Sequence, residues 1–153
     1  MAAGAVVLYA ANIDDLRLQD LVGATLKMAL LTSSYTPSDG TSGHSVYADL
    51  TNELSTAFGY TAGGDTLTTV AVTASGDGWK LTTDDAVWTA SGGNIPAWRY
   101  GAIYVEGTLW GKTNPLLGYF LGDSTPADVP ATSDGNPLTI ECNASGWFDI
   151  VRV

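Results

Sequence analysis

Ala97-Trp98-Arg99-Tyr100-Gly101-Ala102-Ile103-Tyr104-Val105 is the stretch that decides the reading of this chain. It is rich in aromatic and β-branched residues, the types that fit a pleated, half-buried surface. Gly92-Gly93-Asn94-Ile95-Pro96 ahead of it reads as a turn. The composition predicts a strand over 97–105. Side chains alternate across a strand, so Trp98, Tyr100, Ala102 and Tyr104 are expected on one face. Ala97, Arg99, Gly101, Ile103 and Val105 are expected on the other, and most of both sets in core or sheet-packing layers.

The same signals recur outward from this segment. Towards the C-terminus, strands are expected at Leu116–Leu121, Leu138–Cys142 and Trp147–Val153. Towards the N-terminus, Ala86–Thr89 and Trp79–Thr82 flank Asp84-Asp85, and Gly76-Asp77-Gly78 turns the chain. Thr66–Thr73 alternates well, Gly59–Gly64 is a glycine-rich bend, and Val46–Leu50 alternates weakly. Ser33 to His44 is a loop, and Thr25–Thr32 a compact apolar strand. Strands spaced roughly 8–12 residues apart with turns between them predict a sandwich or a barrel.

The first 24 residues read differently, so we divide the chain into an N-terminal arm, 1–24, and a β domain, 25–153. Leu16, Leu18 and Leu21 suggest one to two helical turns within Asp14–Val22, with Asn12 or Asp14 as N-cap and Gly23 as C-terminal stop. Ala5–Tyr9 is either a strand or an apolar arm that reaches a neighbour. Val6, Leu8 and Tyr9 are its candidate contact residues.

With 153 residues the chain fits one domain able to bury a sizeable core. Sixteen acidic residues against six basic ones give a net charge of −10. That surface repels phosphate backbones and anionic lipid, so neither direct nucleic-acid binding nor membrane association is expected. Ala2–Ala11 lacks the basic region of a signal peptide, and no run approaches the ~18 apolar residues of a membrane helix. Cys142 is the single cysteine, which rules out an internal disulfide and fits assembly in a reducing cytoplasm.

No constellation in the sequence carries bond-making chemistry. His44, the one histidine, sits in a Ser-Gly-His-Ser loop and reads as exposed, and Cys142 reads as a buried, inert thiol. Asp14-Asp15 and Asp84-Asp85 are adjacent, whereas paired catalytic carboxylates must face one another. Calcium-loop spacing is missing around Asp39, Asp65, Asp77 and Asp123. Gly107-Thr108-Leu109-Trp110-Gly111-Lys112-Thr113 imitates a phosphate loop but has three residues between its glycines, where the motif needs four. It reads instead as a hairpin loop that carries an exposed Trp110, the fourth candidate contact residue. We expect no enzyme, no catalytic or metal-binding residue and no cofactor.

Several segments, taken in order, resemble a family of small tailed-phage virion proteins. Leu26-Lys27-Met28-Ala29-Leu30-Leu31-Thr32-Ser33-Ser34-Tyr35-Thr36-Pro37 is similar to that family's K-V-A-L-L-x-S-x-Y-T-P opening. Asn52-Glu53-Leu54-Ser55, Gly59 to Gly64, Asp84 to Thr89 and Trp98 to Tyr104 follow, and then Pro115 to Phe120 and Ile140 to Phe148. The resemblance spans about residues 25 to 150, while the first 24 residues fit the family pattern poorly. It implies a capsid decoration or cement protein with a jelly-roll-like antiparallel β-sandwich. Such a protein is made in the host cytoplasm and sits on the outer capsid surface of the virion. There it binds the major capsid protein and ties capsomers together, as a homo-oligomer (dimer or trimer) on the lattice. Two alternatives stand beside it: a tail or fibre-base structural protein, and a carbohydrate-binding jelly roll with Trp110 or Trp98 as stacking platform.

Overall fold

The computed structural model describes residues 1–125 and 127–152. The chain is all-β, and its strands pair antiparallel, with one isolated parallel bridge between Ala2 and Glu141. Its strands are β1 (Val7–Leu8), β2 (Thr25–Leu31), β3 (Asp65–Leu67), β4 (Ala71–Ser75), β5 (Gly78–Thr82), β6 (Ala86–Thr89), β7 (Tyr100–Glu106), β8 (Thr108–Leu109), β9 (Lys112–Thr113), β10 (Leu116–Leu121), β11 (Pro137–Ile140) and β12 (Phe148–Val151). Among the described residues, one short helix, α1 (Leu18–Leu21), and two 3₁₀ turns, Ala10–Asn12 and Tyr47–Asp49, interrupt them.

The central sheet has five strands in the order β1-β10-β7-β2-β3. Its axis is the pairing of β7 with β2, Thr25 to Glu106 at one end and Leu31 to Tyr100 at the other. Leu26, Met28, Leu30, Ile103 and Val105 point from these strands into the main core. They meet Leu81, Ala86, Trp88, Leu138 and Ile140 from β5, β6 and β11, together with Trp147 just before β12. The β11–β6 pair and the three-stranded sheet β12-β5-β4 thus supply the opposite wall.

The face assignment from strict alternation holds within β7 and fails for Trp98. Tyr100, Ala102 and Tyr104 lie on the outer face, whereas the fully buried Trp98 lies in the main core with Ile103 and Val105. Regular pairing with β2 begins only at Tyr100. Before it, Trp98 bridges Val129, so parity is not carried back across Arg99. Gly101 faces inward against Phe120, and a Cβ there would sit 2.3 Å from the ring.

Other boundaries moved for local reasons. The expected strand 66–73 is two strands in two sheets: β3 belongs to the central sheet and β4 to the three-stranded one. Thr69, at φ 54°, makes the corner between them. Asp84 fastens it, accepting from both the Thr68 and Thr69 hydroxyls. Val46–Leu50 forms a 3₁₀ turn instead of a strand, capped by Asp49, whose carboxylate accepts the N–H groups of Ser45 and Val46. The helix is a single turn, with Arg17 rather than Asn12 or Asp14 at its N-cap and no side-chain cap bond. Asn12 is engaged elsewhere, donating from Nδ2 to the carbonyls of Ser45 and Leu116. The strand expected over 147–153 is β12, and Val153 lies outside the described residues.

Candidate interaction surface

The N-terminal segment does not extend away from the β domain. β1 is an edge strand of the central sheet, pairing Val7 with Tyr119 and Leu8 with Gly118. Val6 and Leu8 share the face that covers Gly118, where a Cβ would sit 2.5 Å from Val6 Cγ1. That missing side chain lets the arm close down on β10, and both residues end half-buried. Val7, between them, is the exposed residue at 43 %.

Tyr9 belongs to the interior, at 1 % exposure, so the expectation that it meets a partner is corrected. Its hydroxyl shares a 2.8 Å hydrogen bond with that of Tyr35, which in turn bonds His44 Nδ1 at 2.9 Å. Here the loop expected to leave His44 exposed folds back over the sheet and half-buries it. Tyr9, Tyr35, Tyr47, Tyr100, Tyr104 and Tyr119, six of the seven tyrosines, together cover the outer face. Tyr47 stacks on Tyr104 with ring centroids 4.6 Å apart. Three further hydroxyls of this layer are hydrogen-bonded. Tyr119 donates to Asp39, Tyr104 to the Gly63 carbonyl, and Tyr47 to Glu53. Glu53 also accepts from Tyr60 Oη and from the Gly63 N–H, both at 2.6 Å, and so ties the 59–64 bend to the sheet. Burial raises the hydroxyl pKa of Tyr9, Tyr35, Tyr47, Tyr60, Tyr104 and Tyr119 above the ordinary range.

The full exposure expected of Trp110 is corrected to partial burial. It sits at the tip of the β8–β9 hairpin with φ 54°, followed by Gly111 at φ 71°, the paired positive angles of a two-residue turn. Its ring is half-buried against the main core, and its Nε1 donates to Asp20 Oδ2 at 3.0 Å. Lys112 Nζ, two residues on, meets Asp15 Oδ2 at 2.9 Å. This hairpin is fastened to the α1 segment, and the ring is only partly open to solvent. Trp98, the other proposed stacking platform, is 0 % exposed and unavailable to a sugar. Cys142 lies just outside β11 and is half-buried, and burial pushes its thiol pKa up.

Phe58, at 45 %, and Trp79 are the exposed large aromatic residues among those described, and Trp79 lies in an expected strand that carried no site expectation. Trp79, on β5, is 55 % exposed. It shares a strand face with Leu81, which is fully buried, so the inner face of the three-stranded sheet runs out beyond the core. Trp79 pairs with Ile150 on one side and Ala74 on the other. Arg17, Leu18, Gln19, Val72, Trp79 and Ile150 line an open groove of about 360 Å³ between α1 and this overhang. Ile150 and Val151, adjacent on β12, are 45 % and 49 % exposed, so β12 shows aliphatic surface on both faces. An exposed apolar patch with a polar rim is the signature of a contact surface. Period-two alternation is visible in Trp79-Lys80-Leu81, but nothing in it says where the opposite layer stops.

Among the described residues no group of three or more His, Cys, Asp or Glu is placed to hold a metal ion. No family model, no curated protein and no solved structure matches this chain.

Proposed function

We propose that this chain is a structural protein of a tailed-phage particle: a capsid decoration or cement protein with a jelly-roll-like β-sandwich. In this reading it binds the major capsid protein on the outer surface of the head and ties neighbouring capsomers together. The observation that carries the reading is the ordered set of motifs from Leu26 to Phe148. Four of these segments also build the covered sheet: β2 and the Tyr35 loop, the Glu53 clamp, β7 and β10. The resemblance therefore lies in the residues that make the scaffold rigid, and it brings no catalytic group with it.

The mechanism is adhesion. A rigid body with an apolar, partly aromatic overhang places the same contact at every equivalent position of a lattice. Each contact is modest, because repeated placement raises the effective concentration of its neighbours. Binding to the assembled shell and not to its dissociated subunits stabilises the shell by mass action. Particles stripped of the protein are therefore expected to rupture at a lower temperature than decorated ones, and adding the purified chain back restores the difference. Identical melting of stripped and decorated heads would sink the proposal. Immunogold labelling that decorates tails alone would move the protein to the tail or fibre base.

A further inference from the structure

We infer that His44 latches the N-terminal arm to the loop that covers the central sheet, and that protonating this one histidine opens the latch. The cause is the direction in which a short chain of hydrogen bonds must run.

Tyr9 comes from the arm, just past β1, and Tyr35 and His44 come from the two ends of the covering loop. Tyr9 Oη lies 2.8 Å from Tyr35 Oη, which lies 2.9 Å from His44 Nδ1. Both tyrosines are 1 % exposed, and neither hydroxyl has another partner among the described residues. Two links can seat two protons. With Nδ1 bare, Tyr35 donates to it, Tyr9 donates to Tyr35, and both hydroxyl protons are used. The neutral ring therefore carries its own proton on Nε2. A protonated ring has N–H on both nitrogens and accepts nothing. Nδ1 must then donate to Tyr35 Oη, and three protons compete for two links. One hydroxyl proton, that of Tyr9 or of Tyr35, is left without an acceptor at a site closed to water. A buried donor in that state loses its hydration with nothing in return. Opening the contact relieves it.

The same contact holds arm and loop together. Ala10 donates its N–H to the Asp39 carbonyl at 2.8 Å, and His44 donates its own to the Ser38 carbonyl at 2.7 Å. Gly43 lets the loop wind that tightly, since a Cβ there would sit 2.2 Å from the Ser38 carbonyl oxygen. Two carboxylates oppose the opening, because they favour a cation on the ring: Asp49, in the 3₁₀ turn after the loop, and Asp39, within it. Both are already engaged. Asp49 accepts the N–H groups of Ser45 and Val46, and Asp39 accepts the Tyr119 hydroxyl. The Ser45 N–H does most to hold Asp49 below the usual carboxylate range and His44 does least, so the pull between Asp49 and the ring is weak. Tyr100 and Tyr119 complete the cluster from β7 and β10 as uncharged phenols. Further out, Asp14 on the arm lies across an open groove from Thr41, and Lys112 is taken up by Asp15. The stranded hydroxyl proton thus outweighs the carboxylates. The latch is shut above about pH 6.5, where an ordinary histidine is neutral, and opens as the pH falls below it.

Two measurements on the purified full chain test this. The imidazole ¹⁵N spectrum at about pH 8 should show His44 with Nε2 protonated and Nδ1 bare. Amide hydrogen exchange, corrected for the intrinsic rate, then compares about pH 7.5 with about pH 5, a window above the range in which ordinary carboxylates take up protons. Protection of the Tyr9 and Ala10 amides, which bond the Leu117 and Asp39 carbonyls, should fall about tenfold or more in the acid sample. That of Ile103, in the centre of β7, should hold. His44→Asn keeps an acceptor near the place of Nδ1 and takes up no proton, so its arm should be protected equally at both pH values. If that variant does not fold, the ¹⁵N spectrum and the exchange of the unaltered chain still decide. A proton on Nδ1 at pH 8, an arm indifferent to acid, or an acid response that survives in His44→Asn would each overturn the assignment. None of these readings involves a particle, so failure here and failure of the capsid proposal are separable.

Discussion

The central sheet and the three-stranded sheet are both antiparallel and share one core, yet they are covered to different extents. β7 is buried on both sides: Ile103 and Val105 face the main core, and Ala102 and Tyr104 face the tyrosine layer, each at 3 % exposure or less. β12 has Ile150 and Val151 half in water on opposite faces. The difference comes from what lies above each sheet. The arm, the 33–50 loop and the aromatic side chains fold over the central sheet, while α1, a single turn, covers only the near end of the smaller one. Burial is therefore concentrated in one region and exposed apolar surface in the other. A protein can change the second with little disturbance to the first.

That contrast can be broken from either side. The largest expected effect is alkaline. Six tyrosine hydroxyls, five of them in the covering layer and the sixth Tyr60 in the main core, have pKa values raised by burial. The unfolded chain releases these protons from about pH 10, and the folded chain holds them, so stability is intact below pH 10 and falls as pH rises above it. For Tyr9 and Tyr60, each 1 % exposed, the slope is about 1.4 kcal/mol per pH unit per group. Absorbance at 295 nm and circular dichroism should change together in one steep transition. A gradual ionisation with the fold intact would show that the layer is not sealed.

Next in size is the core itself. Trp98→Ala removes a fully buried ring and is expected to destabilise the protein by about 3–5 kcal/mol in urea denaturation. Trp79→Ala, at the overhang, should change monomer stability by only about 0.5 kcal/mol or less at dilute concentration. Comparable losses for the two would erase the distinction between the regions. A loss smaller than that of Trp98→Ala sharpens the packing inside the sheet. Gly101→Ala pushes a methyl group into the Phe120 ring, which stacks on Trp147 with centroids 6.0 Å apart and meets Trp98 edge-on. About 1–3 kcal/mol should be lost, with a changed near-ultraviolet signal from the two tryptophans.

Much of the strand set was legible from residue type and punctuation. Thr25–Leu31, Tyr100–Glu106 and Leu116–Leu121 appear where β-rich runs sit between turns. Legibility failed where a single residue redirects the chain. Thr69 breaks a well-alternating run at a corner, and no local pattern marks a threonine with positive φ. The contact residues were less legible still. Tyr9 looks like a contact residue because it ends the apolar Ala5–Tyr9 run, and Trp110 because glycines and Lys112 surround it in a loop. Tyr35 lies 26 residues from Tyr9, and Asp20 lies 90 from Trp110, and these distant partners take both into the structure. Trp79 drew no notice because it alternates with Lys80 as any strand residue does.

By itself, the sequence determined that this protein is antiparallel β, with the period-two run around Ile103 at its centre. It also determined that the protein carries a strongly acidic surface. Those properties are local or additive: side-chain type sets strand preference, and charge is a sum. Which aromatic residues are hidden and which are offered was decided only by tertiary structure. Burial depends on the layer laid across each strand, and that layer comes from segments far away in the chain.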